Sequence, residues 1–168
     1  MRKQILYALA LTITISVFNL SCKKSANPVN PDKISAADKP YNLNVVLRGT
    51  GTQSGYLKFR QDPATPKIIT LEIKVENLIA NHEYLLRRAV DAVNVVDGNC
   101  TSTTWLTLGR GLTPQTILTN SSGTGNELLW RDVSAIASGS AFDIHFQVVD
   151  ATNMTAILTG DCYQYTVR

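Results

Sequence analysis

The sequence predicts an all-β protein, an antiparallel β-sandwich of about nine strands with Greek-key, immunoglobulin-like connections. The first observation is a period of two, clearest where Ile69, Leu71, Ile73 and Val75 alternate with polar residues. The second is that turn sequences rich in Gly, Asn, Asp and Pro separate the apolar runs. No stretch keeps the 3.6-residue period of an amphipathic helix. Short alternating runs with such turns between them are typical of two packed antiparallel sheets.

The strands are expected in one domain that covers residues 41–168. Apolar and polar residues alternate in the first three strands and in the eighth, and turn sequences such as Asp97-Gly98-Asn99 bound the others. In chain order the strands are placed near 42–48, 56–60, 67–76, 83–90, 101–108, 115–119, 126–132, 142–150 and 155–166. Trp105 and Trp130 are the largest apolar residues, so we expect them in the core, with exposed ligand stacking as the alternative.

Residues 1–21 have the layout of a cleaved export signal. Arg2 and Lys3 precede an apolar run of about fourteen residues, shorter than the roughly twenty that a transmembrane helix needs. The junction that ends at Ser21-Cys22 resembles a bacterial lipobox, and with Lys23-Lys24 it is similar to junctions of Bacteroidota lipoproteins. The resemblance implies cleavage before Cys22 and acylation of this residue by palmitate-type chains. The alternative is an ordinary signal with a free thiol at Cys22.

Residues 22–40 are expected to form the lipidated cysteine and a disordered tether. This stretch is polar and proline-containing, with Val29 and Ile34 as its only large apolar residues, so it cannot bury enough surface to order itself. Lys23, Lys24 and Ser25 follow the cysteine where a retained lipoprotein carries Asp. The lipoprotein resemblance therefore implies attachment to the outer membrane, facing the periplasm, with the membrane as a partner through Cys22.

The charge of the chain argues against a nucleic-acid partner. The sequence has 16 Lys and Arg against 13 Asp and Glu, a net charge of +3. Loss of Arg2 and Lys3 with the signal leaves 14 basic against 13 acidic residues, and this near-neutral body lacks the positive field that would attract nucleic acid.

A disulfide is expected between Cys100 and Cys162. With Cys22 assigned to the lipid anchor, these two cysteines form an even number in an exported chain. The bond would close a loop of about sixty residues, joining the start of the fifth predicted strand to the last strand. A structural zinc site is the less favoured alternative, because the chain has no Cys-x-x-Cys or His-x-x-x-His spacing.

The residues that could carry catalysis or bind metal are few. His145 lies beside Asp143 on the polar side of a predicted strand, whereas His82 lies in a turn, and solvated surface histidine is the favoured interpretation for both. Asp91, Asn94 and Asp97 lack the spacing of an EF-hand calcium loop. The glycine-rich segment 49–55 matches no phosphate-binding motif, and no G-x-S-x-G occurs, so we expect no cofactor, no metal and no catalytic residue.

Arg87 and Arg88 are adjacent in the fourth predicted strand, so their side chains point to opposite faces. The inward one would need a carboxylate such as Asp143 or Glu83, whereas an edge position would leave it in water. The edge position is the favoured expectation.

The segment from Val75 to Tyr84, VENLIANHEY, resembles the corner of copper/zinc superoxide dismutase-like and chordin-type sandwich domains. Two later turns, Gly123-Thr124-Gly125 and Gly160-Asp161-Cys162, add to the resemblance, which spans residues 70–168. It implies a sandwich. The dismutases bind copper and zinc through six histidines and an aspartate, and this chain has two histidines, so the resemblance implies a shared architecture without that metal site.

Together these features predict a lipid-anchored envelope protein that is not an enzyme and acts as a binding or structural module. A protein partner is expected somewhat ahead of a glycan, with recognition at the loops Asp91–Asn99 and Arg110–Pro114. A purely architectural role is a further possibility. The alternative from a different class is a metal-assisted enzyme, of superoxide dismutase-like or hydrolase type, that uses His145 with Asp143 or another acid.

Overall fold

The computed structural model describes residues 41–168, and this part of the chain is all-β, as the alternation predicts. Helices are absent from the described range, so it contains none with the length and apolarity to cross a bilayer. The predicted export signal, the acylation site at Cys22 and the tether 22–40 lie outside the described residues.

Twelve strands occur in the described range, where about nine are predicted. They are β1 (Asn42–Arg48), β2 (Ser54–Gln61), β3 (Ile68–Glu76), β4 (Glu83–Val90), β5 (Leu106–Thr107), β6 (Gly109–Arg110), β7 (Thr113–Pro114), β8 (Thr116–Leu118), β9 (Gly125–Asp132), β10 (Ala141–Asp150), β11 (Ala156–Gly160) and β12 (Tyr163–Thr166). The predicted strand 101–108 is wrong for most of its length, since only Leu106–Thr107 pairs there. The predicted strand 155–166 is divided by Asp161 and Cys162 into β11 and β12.

The strands form one hydrogen-bonded sheet that curls into a nearly closed, barrel-like shape. Its order is β5-β4-β10-β11-β1-β2-β3-β9-β6-β7, with β12 paired to β10 and β8 paired to β4. All pairs are antiparallel except that of β6 with β9, where Arg110 lies opposite Trp130. The all-β class is confirmed, whereas division into two sheets with Greek-key connections stays a prediction.

The ladder between β1 and β11 is short. These strands pair only where Leu47 meets Gly160 and Arg48 meets Thr159, whereas β1 pairs with β2 along its whole length. Next to the short ladder, the backbone N–H of Val46 donates to the hydroxyl of Tyr163 over 3.1 Å. A side chain thus takes the place of a strand carbonyl at this junction, which we call the β1–β11 seam.

The core fills the inside of the curved sheet, and the alternation in the sequence selects its members. On β10, the apolar residues at every second position from Phe142 to Val148 are buried. The ring of Phe59 on β2 meets that of Phe146 edge-on at 6.1 Å and that of Tyr165 at 4.7 Å between centroids. Edge-to-face contacts of this kind add to the hydrophobic gain of burial.

A buried glutamine joins the end of β2 to the C-terminal strand. Gln61 is fully buried, and its Oε1 accepts hydrogen bonds from the Tyr165 hydroxyl at 2.9 Å and the Arg168 backbone N–H at 2.8 Å. Its Nε2 donates to the Pro66 carbonyl. Burial raises the pKa of Tyr165, so its hydroxyl keeps its proton for this bond.

The turn between β8 and β9 docks against the loop after β3 through a glycine. Gly123 has φ +71°, and a Cβ there would lie 2.1 Å from the Leu78 carbonyl oxygen. The Gly123 carbonyl accepts the N–H of Leu78 at 3.0 Å, and the side chain of Asn120 accepts two further amides of the turn. Only glycine fits both the backbone conformation and the close approach.

Candidate functional site

The segment Asp91–Trp105 crosses the outer face of β10 and supplies the contacts of the Asp143 and His145 side chains. The Nε2 of His145 lies 3.0 Å from the carbonyl oxygen of Ser102, and its ring packs on Trp105 with centroids 4.6 Å apart. Asp143 is fully buried, in contrast to the predicted polar surface position. Its Oδ2 accepts the backbone N–H groups of Asp97 at 2.8 Å and Gly98 at 2.9 Å. Both candidate residues therefore hold this segment in place.

The candidate calcium residues also accept hydrogen bonds from backbone amides, either in this segment or on β10. Asp91 accepts the N–H groups of Thr101 and Ser102 and the Thr101 hydroxyl, and the hydrogen bonds from Thr101, followed by that from Ser102, lower the pKa of the Asp91 carboxyl. Asn94, in the left-handed conformation with φ 61°, accepts the N–H of Ala141 through its side chain. These contacts close loops, as short polar side chains commonly do.

Cys100 and Cys162 lie at bonding distance, as the cysteine count predicts. Their sulfur atoms are 2.07 Å apart and their Cα atoms 5.4 Å apart. The bond joins the segment Asp91–Trp105 to the turn between β11 and β12, instead of joining two strands.

His82 pairs with an acid in the structure, whereas the sequence predicts a solvated histidine. Its Nε2 lies 2.8 Å from Oδ2 of Asp150 at the end of β10. Hydrogen bonds from Thr152 and a further one from His82 lower the pKa of Asp150 to about 2. The two histidines therefore have different partners, and the described residues contain no group of three or more His, Cys, Asp or Glu that could hold a metal ion.

Trp130 lies on the surface, so its predicted place in the core is wrong. Its side chain is 42% exposed on β9, beside Leu128, which is 60% exposed, and both face away from buried Leu129. The indole lies over Gly111, whose N–H donates to the Trp130 carbonyl at 2.9 Å. Leu112, the next residue in the β6–β7 turn, is 83% exposed.

A charged pair borders these apolar side chains. The Nη2 of Arg110 lies 2.6 Å from Oε1 of Glu127, and its Nε donates to the Leu128 carbonyl at 3.4 Å. We call Arg110, Leu112, Leu128 and Trp130 the Trp130 patch. It includes part of the loop Arg110–Pro114 that the sequence singles out for recognition. The alternation along β9 predicts this exposure, since Leu128 and Trp130 point to the face opposite that of Leu129.

The other predicted residues take separate places. Trp105 is partly buried, with the Arg87 guanidinium 5.7 Å above its ring, so it covers the sheet from outside. Arg87 faces this outer side of β4, whereas Arg88 alternates with Tyr84 and Leu86 on the core side. The expected edge position of Arg88 is therefore wrong. Neither Asp143 nor Glu83 forms an ion pair with it in the described range.

Comparison with models of known protein families found no match for this chain, and comparison with curated proteins found none.

Proposed function

We propose that this protein is a lipid-anchored, non-catalytic module of the cell envelope whose folded body binds a protein partner through the Trp130 patch. The observation that carries the binding proposal is the exposure of Trp130 beside two exposed leucines. The sequence of the leader and the Ser21-Cys22 junction supports the anchor, and Lys23, Lys24 and Ser25 after the cysteine support attachment to the outer membrane, facing the periplasm. The tether 22–40 gives the body reach from the membrane surface.

The chemistry of the patch favours a protein over a glycan. Exposed apolar side chains that lie together mark interaction sites, and tryptophan and arginine are the residues that contribute most often at protein interfaces. Removing Leu112 and Leu128 from water lowers the free energy in proportion to the apolar area covered, and a protein surface offers more of this area than a hydroxyl-rich sugar. The Arg110–Glu127 pair supplies a polar rim next to them.

The two-sheet description is part of the same proposal. The short β1–β11 seam supports treating β1, β2, β3 and β9 as one layer and β4, β10 and β11 as the other. The alternative function, a metal-assisted enzyme that uses His145, has no supporting contact within residues 41–168, where this ring bonds to Ser102 and packs on Trp105.

Crosslinking in intact envelopes tests the binding proposal. The full chain is expressed with a photoreactive residue at position 126, beside the patch, and crosslinked products are recovered and identified. A protein captured by the wild type should be lost in Trp130→Ala and Leu112→Ser. Val95→Ser is the matched control for Leu112→Ser, because Val95 is an exposed apolar residue in the segment Asp91–Trp105, outside the patch. Equal capture by all variants, or capture of glycan alone, would contradict the proposal.

Acylation is tested separately by mass spectrometry of the native protein. We expect a first residue at Cys22 that carries acyl chains and a Cys22→Ser variant that carries none. An intact leader with an unmodified thiol would exclude the anchor.

A further inference from the structure

Arg88 and Arg131 occupy positions in which a strand normally carries core residues. On β4, Arg88 follows Tyr84 and Leu86, which are both buried, at every second position. On β9, Arg131 follows buried Leu129 in the same way. Because side chains alternate between the faces of a strand, both arginines belong to the inner face of the curved sheet.

The two arginines line an apolar cavity of about 60 Å³ that is partly open to solvent. The rest of its wall is built of side chains from five strands and from three residues between strands, among them Phe59, Leu71, Phe142 and Phe146. Arg88 and Arg131 are the only charged side chains on this wall, and both carry the same sign. Tyr165 also lines it, but its hydroxyl already donates to Gln61.

Neither guanidinium has a carboxylate partner among residues 41–168. The five ion pairs of this region involve other residues, and the one hydrogen bond of the Arg131 side chain goes to the Gly111 carbonyl at 3.1 Å. Burial, followed by the nearby charge of Arg131, lowers the pKa of Arg88, so its environment disfavours the cation. Two like charges beside an apolar cavity repel one another, and an anion between them would relieve this repulsion.

We propose that this cavity binds a short-chain aliphatic carboxylate, with its carboxylate between the guanidinium groups of Arg88 and Arg131 and its hydrocarbon tail in the cavity. Arginine suits this task because its planar fork of donors matches a carboxylate. An apolar cavity of about 150 Å³ accommodates benzene, so 60 Å³ accommodates roughly two or three carbon atoms. The hydrocarbon tail of a four-carbon acid such as butyrate therefore fits the cavity, with its carboxylate at the two arginines. This site is separate from the Trp130 patch.

Titration calorimetry of the full chain in detergent tests the proposal with three probes. Butyrate should bind at one site per chain. Acetate, which lacks the tail, and 1-butanol, which lacks the charge, should each bind at least ten-fold more weakly. If butanol binds as tightly as butyrate, or butyrate shows no saturable binding, the proposal is wrong.

Variants then assign the site. Arg88→Met and Arg131→Met keep most of the side-chain volume and remove the charge, so each should weaken butyrate binding at least ten-fold. Arg48→Met is the control, because Arg48 is exposed and pairs with Asp161, and its affinity for butyrate should equal that of the wild type. Without ligand, Arg88→Met should unfold at a higher temperature than the wild type, which also establishes that it folds. Unchanged butyrate affinity in both cavity variants would overturn the assignment.

Discussion

Removing the disulfide between Cys100 and Cys162 should lower the stability of the fold by an amount that follows from the length of the loop it closes. The sequence separation of these residues is 62, so the bond restricts a long loop in the unfolded chain. On the chain-entropy model a loop of this length contributes about 4 kcal/mol to the free energy of unfolding. For a domain of about 130 residues the entropy of unfolding is roughly 270 cal/mol/K, so losing the bond should lower Tm by about 15 °C.

The assay is thermal and urea unfolding of four proteins: the wild type, Cys100→Ser, Cys162→Ser and the double variant. Either single substitution already removes the bond, so all three variants should lose about the same 4 kcal/mol instead of adding their effects. The control is a reducing agent, which should lower the stability of the wild type to that of the double variant and leave the double variant unchanged.

Loss of the bond should also loosen one part of the body more than the rest. The segment Asp91–Trp105 would keep its bonds to Asp143 and His145 but lose its attachment to the β11–β12 turn. We therefore expect proteolysis near Gly98 while the far-ultraviolet circular dichroism of the strands persists. A loss of less than 1 kcal/mol, together with an unchanged cleavage pattern, would refute the reasoning.

Three further predictions concern single residues. The pKa of Asp150 falls from 3.8 to about 2 on folding, so the ionised carboxyl stabilises the fold above pH 3.8 and this contribution is lost as the pH falls through 2. The urea midpoint of the wild type should therefore drop over this interval, and that of Asp150→Asn should drop less. Gln61→Leu should cost about 2–4 kcal/mol in urea unfolding, because it leaves buried hydrogen-bonding groups without partners, whereas a cost below 1 kcal/mol would contradict the buried network. Gly123→Ala should cost about 3 kcal/mol or more through its clash with Leu78, and Gly98→Ala, at a similar φ but in open space, about 1 kcal/mol; equal losses of Tm would contradict the steric argument.

The sequence predicted the strands best where one face is buried. The predicted ranges 42–48 and 83–90 agree with the structure to the residue, and 67–76 and 142–150 agree within one residue at their starts. Regular alternation carries this information because a strand with one wet face must repeat every two residues. Strand alternation also predicts that Trp130 lies outside and Arg88 inside, against the general tendency of tryptophan to be buried and of arginine to be exposed.

Other features depend on contacts that the sequence does not reveal. The run Thr101-Ser102-Thr103-Thr104 has strong β-propensity, yet the amides of Thr101 and Ser102 bond to the carboxylate of Asp91 instead of a neighbouring strand. The cavity with Arg88 and Arg131 requires β4 and β9 to face one another, although they are separated by more than thirty residues. Pairing at such distances follows from the whole topology and not from a local pattern.

The β1–β11 seam determines where the strands separate most easily and expose backbone amides to water. Two residue pairs, the Arg48–Asp161 ion pair and the phenol of Tyr163 on β12 hold β1 at this junction, whereas seven residue pairs join β1 to β2, so we expect transient separation to begin at the seam. Amide protons near Val46 should accordingly exchange with deuterium earlier than those in the middle of β3. The curled sheet should therefore open first at this one junction, while its long ladders stay intact.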